Sequence, residues 1–281
     1  MREINVQSLI PVIAKLCIEA NYYIGADLSK RLEEFRTRET SPTAREVIDI
    51  LLQNYQLAAA KQMPICQDTG VAVIFADIGQ DLHLTGGDFY QALNAGVAAG
   101  YSAGFLRKSI VADPVLQRLN TGDNTPAIIH SRIVPGDKLK LTVAPKGGGS
   151  ENMSEIKMLK AADGLEGVID FVVDRVERSG GNPCPPIIVG VGLGGNFEQS
   201  AILAKRALLR DLDQANPEPQ WQKIEQDILA KINALGIGPQ GLGGNTTALA
   251  VHILQQPCHI ASLPVAVNIQ CHAARHKSII I

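Results

Sequence analysis

Two periodicities alternate along the chain. Apolar residues recur at helical spacing near 6–21, a charged amphipathic stretch follows near 28–39, and a third helical stretch, TAREVIDILLQNYQLAAAKQ, begins at Ser41-Pro42. Ser41 offers a side-chain oxygen as N-cap. Pro42 suits the first helical position because the amide it lacks would have no partner there. VAVIFADI, after Cys66, is a β-rich apolar run, and KLKLTVAP at 138–145 alternates as a half-buried strand does. Residues 87–103 predict a helix, against the cost of Gly96 and Gly100. The segment SENMSEIKMLKAA predicts another helix, entered from KGGG. IIVGVGLGG predicts a buried strand ending in a glycine turn and leading to the helix NFEQSAILAKRALL; ALAVHIL and PVAVNIQ predict two further strands. The mixture has no regular βαβ rhythm. It predicts an α/β fold of the mixed α+β kind, a mixed sheet with helical layers behind a helical N-terminal segment. One domain is expected over 1–281, with DQANPEPQ at 213–220 as an exposed connection between helices.

Composition changes this picture only by exclusion. With 281 residues, 46% hydrophobic and 19% charged, the chain can bury a large core. A formal net charge of −2 supplies no basic field, so nucleic acid is not an expected partner. The N-terminus is interrupted by Pro11, Lys15 and Glu19, no signal-type cleavage region follows, and no apolar span of membrane length is expected. The expectation is a cytoplasmic protein with no membrane contact and no disulfide framework.

The cysteines add chemistry. Cys17 sits in the apolar helical run LIPVIAKLCIEA and reads as a core residue. Cys66, Cys184 and Cys271 instead lie in MPICQDTG, GGNPCPPI and NIQCHAARH, far apart in sequence. Their spacing excludes C-x-x-C pairs, so any shared centre must be assembled by the fold. Cys184 stands between two prolines, neither of which has an amide hydrogen, which disfavours helix and central strand alike. On spacing alone three unrelated thiols remain an open reading; the loop flanks point toward three ligands of a metal centre. Cys258, next to His259, stays outside that set.

Two glycine loops and several polar residues invite functional readings. KGGGSEN at 146–152 allows backbone amides to converge on an anion at a helix start, and serves equally as a permissive connection. GVGLGG at 190–195 matches a dinucleotide fingerprint formally, without the βαβ surroundings that a nicotinamide enzyme needs. Asp68 could orient a bound water or exchange protons, or close an Asx turn before Thr69-Gly70. Arg107 offers a planar fork for a carboxylate, and His259 could carry a proton or rest as a structural histidine.

In chain order, CQDTG, LRKSIV, NTGDNTPA, KGGGSEN, GGNPCPP, GLGGN twice and HIASLPVAVNIQCHAAR resemble the class I iron–sulfur fumarate hydratases. The likeness is strongest to the α subunit of their two-subunit forms, L(+)-tartrate dehydratase α subunits look similar too, and it covers roughly residues 10–276. It implies a 4Fe-4S cluster on Cys66, Cys184 and Cys271 with one iron lacking a cysteine ligand. It also implies Asp68 and His259 for proton handling and substrate orientation, and Gln67, Arg107 and the Gly149 amide for substrate binding. The expected activity is a hydro-lyase acting on a dicarboxylate, malate to fumarate as in the tricarboxylic acid cycle, or L(+)-tartrate as the alternative. Single-chain members continue into a second domain, whereas this sequence stops at Ile281. A separate β subunit is therefore expected, in a dimer of heterodimers, with little activity from this chain alone. An iron–sulfur scaffold or redox sensor is the non-enzymatic alternative.

Overall fold

The computed structural model describes residues 2–281. In chain order the elements are β1 (Arg2–Asn5), α1 (Leu9–Tyr22), α2 (Ala26–Arg38), α3 (Pro42–Lys61), β2 (Val71–Gly79), β3 (Leu82–Thr85), α4 (Phe89–Ala103), β4 (Ile128–Val134), β5 (Leu139–Lys146), α5 (Gly148–Glu151), β6 (Glu155–Leu159), α6 (Gly164–Ser179), β7 (Ile187–Gly195), α7 (Phe197–Ala207), α8 (Pro219–Ala234), β8 (Ala248–Cys258), β9 (Leu263–Gln270) and β10 (Lys277–Ile280). They form two compact units built from interleaved segments. The first unit comprises Met1–Ile24, Asn54–Gly148 and Arg275–Ile281, and the second Gly25–Gln53 and Gly149–Ala274. The fold is mixed α/β with a helical N-terminal segment, as the patterning predicts.

In the first unit, β10-β5-β2-β4 form one sheet, with β2 antiparallel to β5 and parallel to β4, while β1 and β3 make a separate parallel pair. The core joins Ile74 and Ala76 of β2, Leu139, Leu141 and Val143 of β5, and the inner faces of α1 and α4. Gly96, which weakened the helical pattern, is what lets α4 lie close to α1. A Cβ there would stand 2.6 Å from the Ile13 Cβ.

The second unit carries the sheet β6-β9-β7-β8, with β7 parallel to β8 and antiparallel to β9. Its core is Val189, Val191, Ile253, Val265, Val267 and Ile269 from the sheet, with Phe171, Val172, Ile228 and Ile232 from α6 and α8. Burying each such side chain contributes on the order of 1.5–3 kcal/mol. Gly192 packs β7 under α7, since a Cβ there would meet the Ser200 carbonyl at 2.0 Å. The GVGLGG glycines thus serve strand-to-helix packing in the place where a dinucleotide fingerprint was the competing reading.

Ser41 caps α3 as expected, its Oγ accepting from the Ala44 amide at 3.3 Å. The segment after KGGG departs from expectation. Only one helical turn forms, α5, and EIKML is strand β6, antiparallel to β9 with Glu155 opposite Val267. The pairing is anchored by the Ser154 hydroxyl, which accepts from Asn268 Nδ2 at 3.0 Å and from the Ile269 amide at 3.2 Å. Tertiary strand pairing over the five residues of β6 outweighs the local helical pattern. A window within Val6–Arg38 also reaches the mean hydropathy of a membrane span, 1.2, where none was expected. That run is broken between α1 and α2, and the 14 residues of α1 extend about 21 Å, against about 30 Å for a bilayer core.

Candidate active site

The candidate residues fall into two groups, each gathered inside one unit. In the first unit, Cys66, Gln67 and Asp68 occupy the loop between α3 and β2. The Asp68 amide donates to Cys66 Sγ at 3.4 Å, and the thiol lies the same distance from Gln67 Oε1. Asp68 closes the Asx turn, its Oδ1 accepting from the Gly70 amide at 3.0 Å. Its Oδ2 accepts from the Gly148 amide at 2.8 Å. The carboxylate therefore ties the CQDTG loop to the KGGG turn, and one amide of that glycine turn, that of Gly148, already faces an internal anion. Two acceptor oxygens carry about four lone-pair sites, so each keeps one for a further donor.

Buried polar groups hold that loop from beneath. Tyr101, fully buried, directs its hydroxyl at the carbonyls of Thr69 and Gly70, 2.8 and 3.1 Å away. Burial, with Cys17 nearby, raises the Tyr101 phenol well above its ordinary pKa, so it remains a donor. Arg275, 2% exposed, donates to Asn21 Oδ1 at 3.1 Å, and the Asn21 carbonyl receives the Ile65 amide at 2.9 Å, one residue before Cys66.

Arg107 joins the same group through its backbone, its carbonyl accepting from Thr69 Oγ1 at 2.9 Å. The guanidinium is exposed and makes no ion pair among the described residues.

In the second unit, strand register brings Cys184 and Cys271 together. Ile188 of β7 stands opposite Gln270 of β9, so the residues before one strand and after the other share an end of the sheet. The His272 amide donates to the Cys184 carbonyl at 3.2 Å. Gly149 lies against the same turn, where a Cβ would stand 3.5 Å from the Asn182 carbonyl. Cys184 has the left-handed backbone, φ 55°, and its side chain is exposed.

His259 is not brought to that end. It follows Cys258, which pairs with Gly195 at the far end of β7, on the order of 20 Å of strand away from the Ile188–Gln270 pair. Its Nδ1 accepts from the Ala261 amide at 3.1 Å, the local backbone contact of a turn.

The thiols divide as their flanks imply. Cys66 and Cys271 are half-buried and Cys184 is exposed, whereas Cys17 is buried and its thiol is pushed up to about 12 by loss of hydration. Within neither unit do three His, Cys, Asp or Glu side chains gather as a ready metal group among the described residues. Thiols are soft donors of the kind that bind iron–sulfur groups; the first unit carries Cys66, and the second carries Cys184 and Cys271 at one sheet end. The functional residues that sequence reasoning missed are the buried supports Tyr101, Asn124 and Arg275. Asn124 lies within the motif NTGDNTPA and Arg275 within HIASLPVAVNIQCHAAR, and neither carries a local signal of burial.

Comparison with protein families places this mixed α/β chain among hydro-lyases, the fumarate hydratase (Fumerase) description matching residues 10–280. The chain belongs to the fumarate hydratase family. It is similar to the L(+)-tartrate dehydratase subunit alpha of Escherichia coli O157:H7, 30% identical over 278 residues that cover 98% of this chain and 91% of that one. The protein of that name from Escherichia coli K12 has the same identity and coverage, 30% over 278 residues. A Methanocaldococcus jannaschii protein that bears the name provisionally is 38% identical over 268 residues, 94% of either chain.

Proposed function

We propose that the chain is the α subunit of a 4Fe-4S hydro-lyase that removes water reversibly from a 2-hydroxy dicarboxylic acid. Malate to fumarate is the first reading, in keeping with the family's description. L(+)-tartrate to oxaloacetate is the second, favoured by the names of the relatives. The observation that carries the proposal is Arg107, an exposed guanidinium without an ion pair among the described residues, on backbone bonded to the Cys66–Asp68 loop. A planar fork so held suits a carboxylate.

In this reading Cys66, Cys184 and Cys271 hold the cluster. When bound, the cluster supplies a Lewis-acidic iron without a cysteine ligand for the substrate's hydroxyl. Arg107 receives one substrate carboxylate, with Gln67 beside it, and the Gly149 amide contacts the anion. Asp68 keeps lone pairs free for a substrate hydroxyl or a water while it holds the loop in shape. In malate the reaction breaks a C–O and a C–H bond, releases water and leaves the double bond of fumarate; the base that takes the carbon-bound proton belongs to a separate β subunit. His259, at the other end of β7, takes no step beside Cys184 and Cys271 of its own chain. The names of the relatives, each a subunit alpha, support the two-subunit assembly, and a dimer of heterodimers in the cytoplasm is its proposed form.

The test is an anaerobic reconstitution of this chain with its β subunit, screened against malate, fumarate and both tartrate enantiomers. Turnover of one of them is expected, and it selects the substrate. A complex with full iron and sulfide content and no turnover of any of the four overturns the proposal, as does full activity from this chain without a partner.

A further inference from the structure

We propose that Asn124 is the positioning residue for Arg107, fixing the arginine's backbone to the loop that carries Cys66 and Asp68. The inference rests on the reading of Arg107 as the carboxylate binder. Residues 106–110 form neither helix nor strand, yet they are held at every position. The Leu106 amide donates to the Tyr101 carbonyl at 3.0 Å, and the Arg107 carbonyl accepts from Thr69 Oγ1 at 2.9 Å. The Lys108 carbonyl accepts from Asn120 Nδ2 at 3.0 Å, and the Ile110 carbonyl from the Thr121 amide at 2.9 Å. The Ser109 amide donates to Asn124 Oδ1 at 2.6 Å.

Asn124 differs from the other supports because it grips both loops with one side chain. Its Nδ2 donates to the Gly70 carbonyl at 3.1 Å while its Oδ1 holds Ser109, and the residue is fully buried. Three motifs that are remote in sequence, CQDTG, LRKSIV and NTGDNTPA, thereby meet at one amide. The residue type follows from the geometry. Asn124 has φ 63°, a left-handed backbone that asparagine tolerates, and the site needs one donor and one acceptor on a short stem. Aspartate would keep the acceptor, lose the donor and bury a charge against the Gly70 carbonyl. Glycine would keep the backbone and lose both bonds. The consequence for binding is preorganisation: an arginine on irregular backbone reaches a carboxylate with little ordering cost only when that backbone is already fixed.

The experiment compares Asn124→Gly and Asn124→Asp with wild type in the anaerobic complex, on whichever of malate, fumarate or tartrate the wild type turns over. For Asn124→Gly the expected result is a KM raised about tenfold with kcat within about threefold. In an Arg107→Ala background the same change should leave KM where Arg107→Ala alone puts it, because a lost anchor has nothing left to anchor. A second arm needs no turnover: trypsin should cut after the exposed Arg107 and the half-buried Lys108 several-fold faster in Asn124→Gly than in wild type, at temperatures where both remain folded. Wild-type KM together with wild-type cleavage in folded Asn124→Gly overturns the proposal, as does a KM effect that persists undiminished without Arg107. Should wild type turn over none of the substrates, the proposed reaction fails and the cleavage arm alone decides the role of Asn124. Should Asn124→Asp fail to fold, Asn124→Gly, which buries no charge, decides.

Discussion

The His272 amide donates to the Cys184 carbonyl at 3.2 Å, joining two loops of the second unit that are remote in sequence. The bond follows from the antiparallel register of β7 with β9, which sets Ile188 opposite Gln270 and delivers both flanking cysteines to one sheet end. Strand pairing thus brings to one sheet end two cysteines that no local C-x-x-C turn joins.

Cys184→Ser should lower both iron and sulfide after anaerobic reconstitution, since serine is a poor substitute for a thiolate. Cys17→Ala, which alters a buried thiol held up to about 12, should leave both at wild-type levels. Iron and acid-labile sulfide analysis of the two variants decides. Wild-type content in Cys184→Ser would remove Cys184 from the ligand set.

Gly96→Val should destabilise the first unit by roughly 1–3 kcal/mol, because a Cβ at this position already stands 2.6 Å from the Ile13 Cβ and 2.9 Å from the Ile10 carbonyl. The urea midpoint is the measurement. A midpoint equal to wild type would mean that α1 and α4 are not packed as described.

Glu39 predicts a loss of stability in acid. Its carboxylate is fully buried, and that desolvation raises its pKa. The Thr246 hydroxyl and the amides of Asn245, Ser41 and Thr40 outweigh it and hold the group below the usual carboxylate range. The folded chain therefore binds this proton less readily than the unfolded chain does. The stabilisation is present above the ordinary value of 4.5 and fades as pH falls through the lower folded value. Glu39→Gln should be less stable than wild type at pH about 7, and the gap should narrow as pH falls below 4.5. Urea unfolding at several pH values tests it, and a gap independent of pH would count against the buried carboxylate.

His252 acts over a different window. Desolvation, reinforced by the nearby Arg210 charge, lowers its pKa from 6.5 to about 3, while its Nδ1 sits 3.1 Å from the Ala207 carbonyl. Between those two values the unfolded imidazole is protonated and the folded one is neutral, so this contribution falls as pH drops from 6.5 toward 3. His252→Gln should flatten the pH dependence of stability near pH about 5 relative to wild type. Parallel denaturation curves at pH 5 and pH 7 check it; an unchanged slope would show that His252 titrates normally.

Much of the architecture was legible because its signals are local. The Ser41-Pro42 start, the alternation of KLKLTVAP and the apolar run of IIVGVGLGG each state a backbone preference within a few residues, and α3, β5 and β7 follow. SENMSEIKML misleads for the same reason: its helical pattern is short, and β9, more than a hundred residues later, offers Ser154 and Glu155 a better set of partners.

The sequence by itself determined the mixed α/β class, the core placement of Cys17, the loop setting of Cys66, Cys184 and Cys271, and, through its ordered motifs, the family. Those properties reside in residue type, spacing and periodicity, which need no knowledge of what lies opposite. Only the tertiary structure decided that Asp68 latches the Gly148 amide, that Asn124 holds two loops together, and that His259 lies at the other end of β7 from Cys184 and Cys271. Each depends on strand register or a hydrogen bond between distant segments, and a register shift of one residue would change it without altering any local pattern.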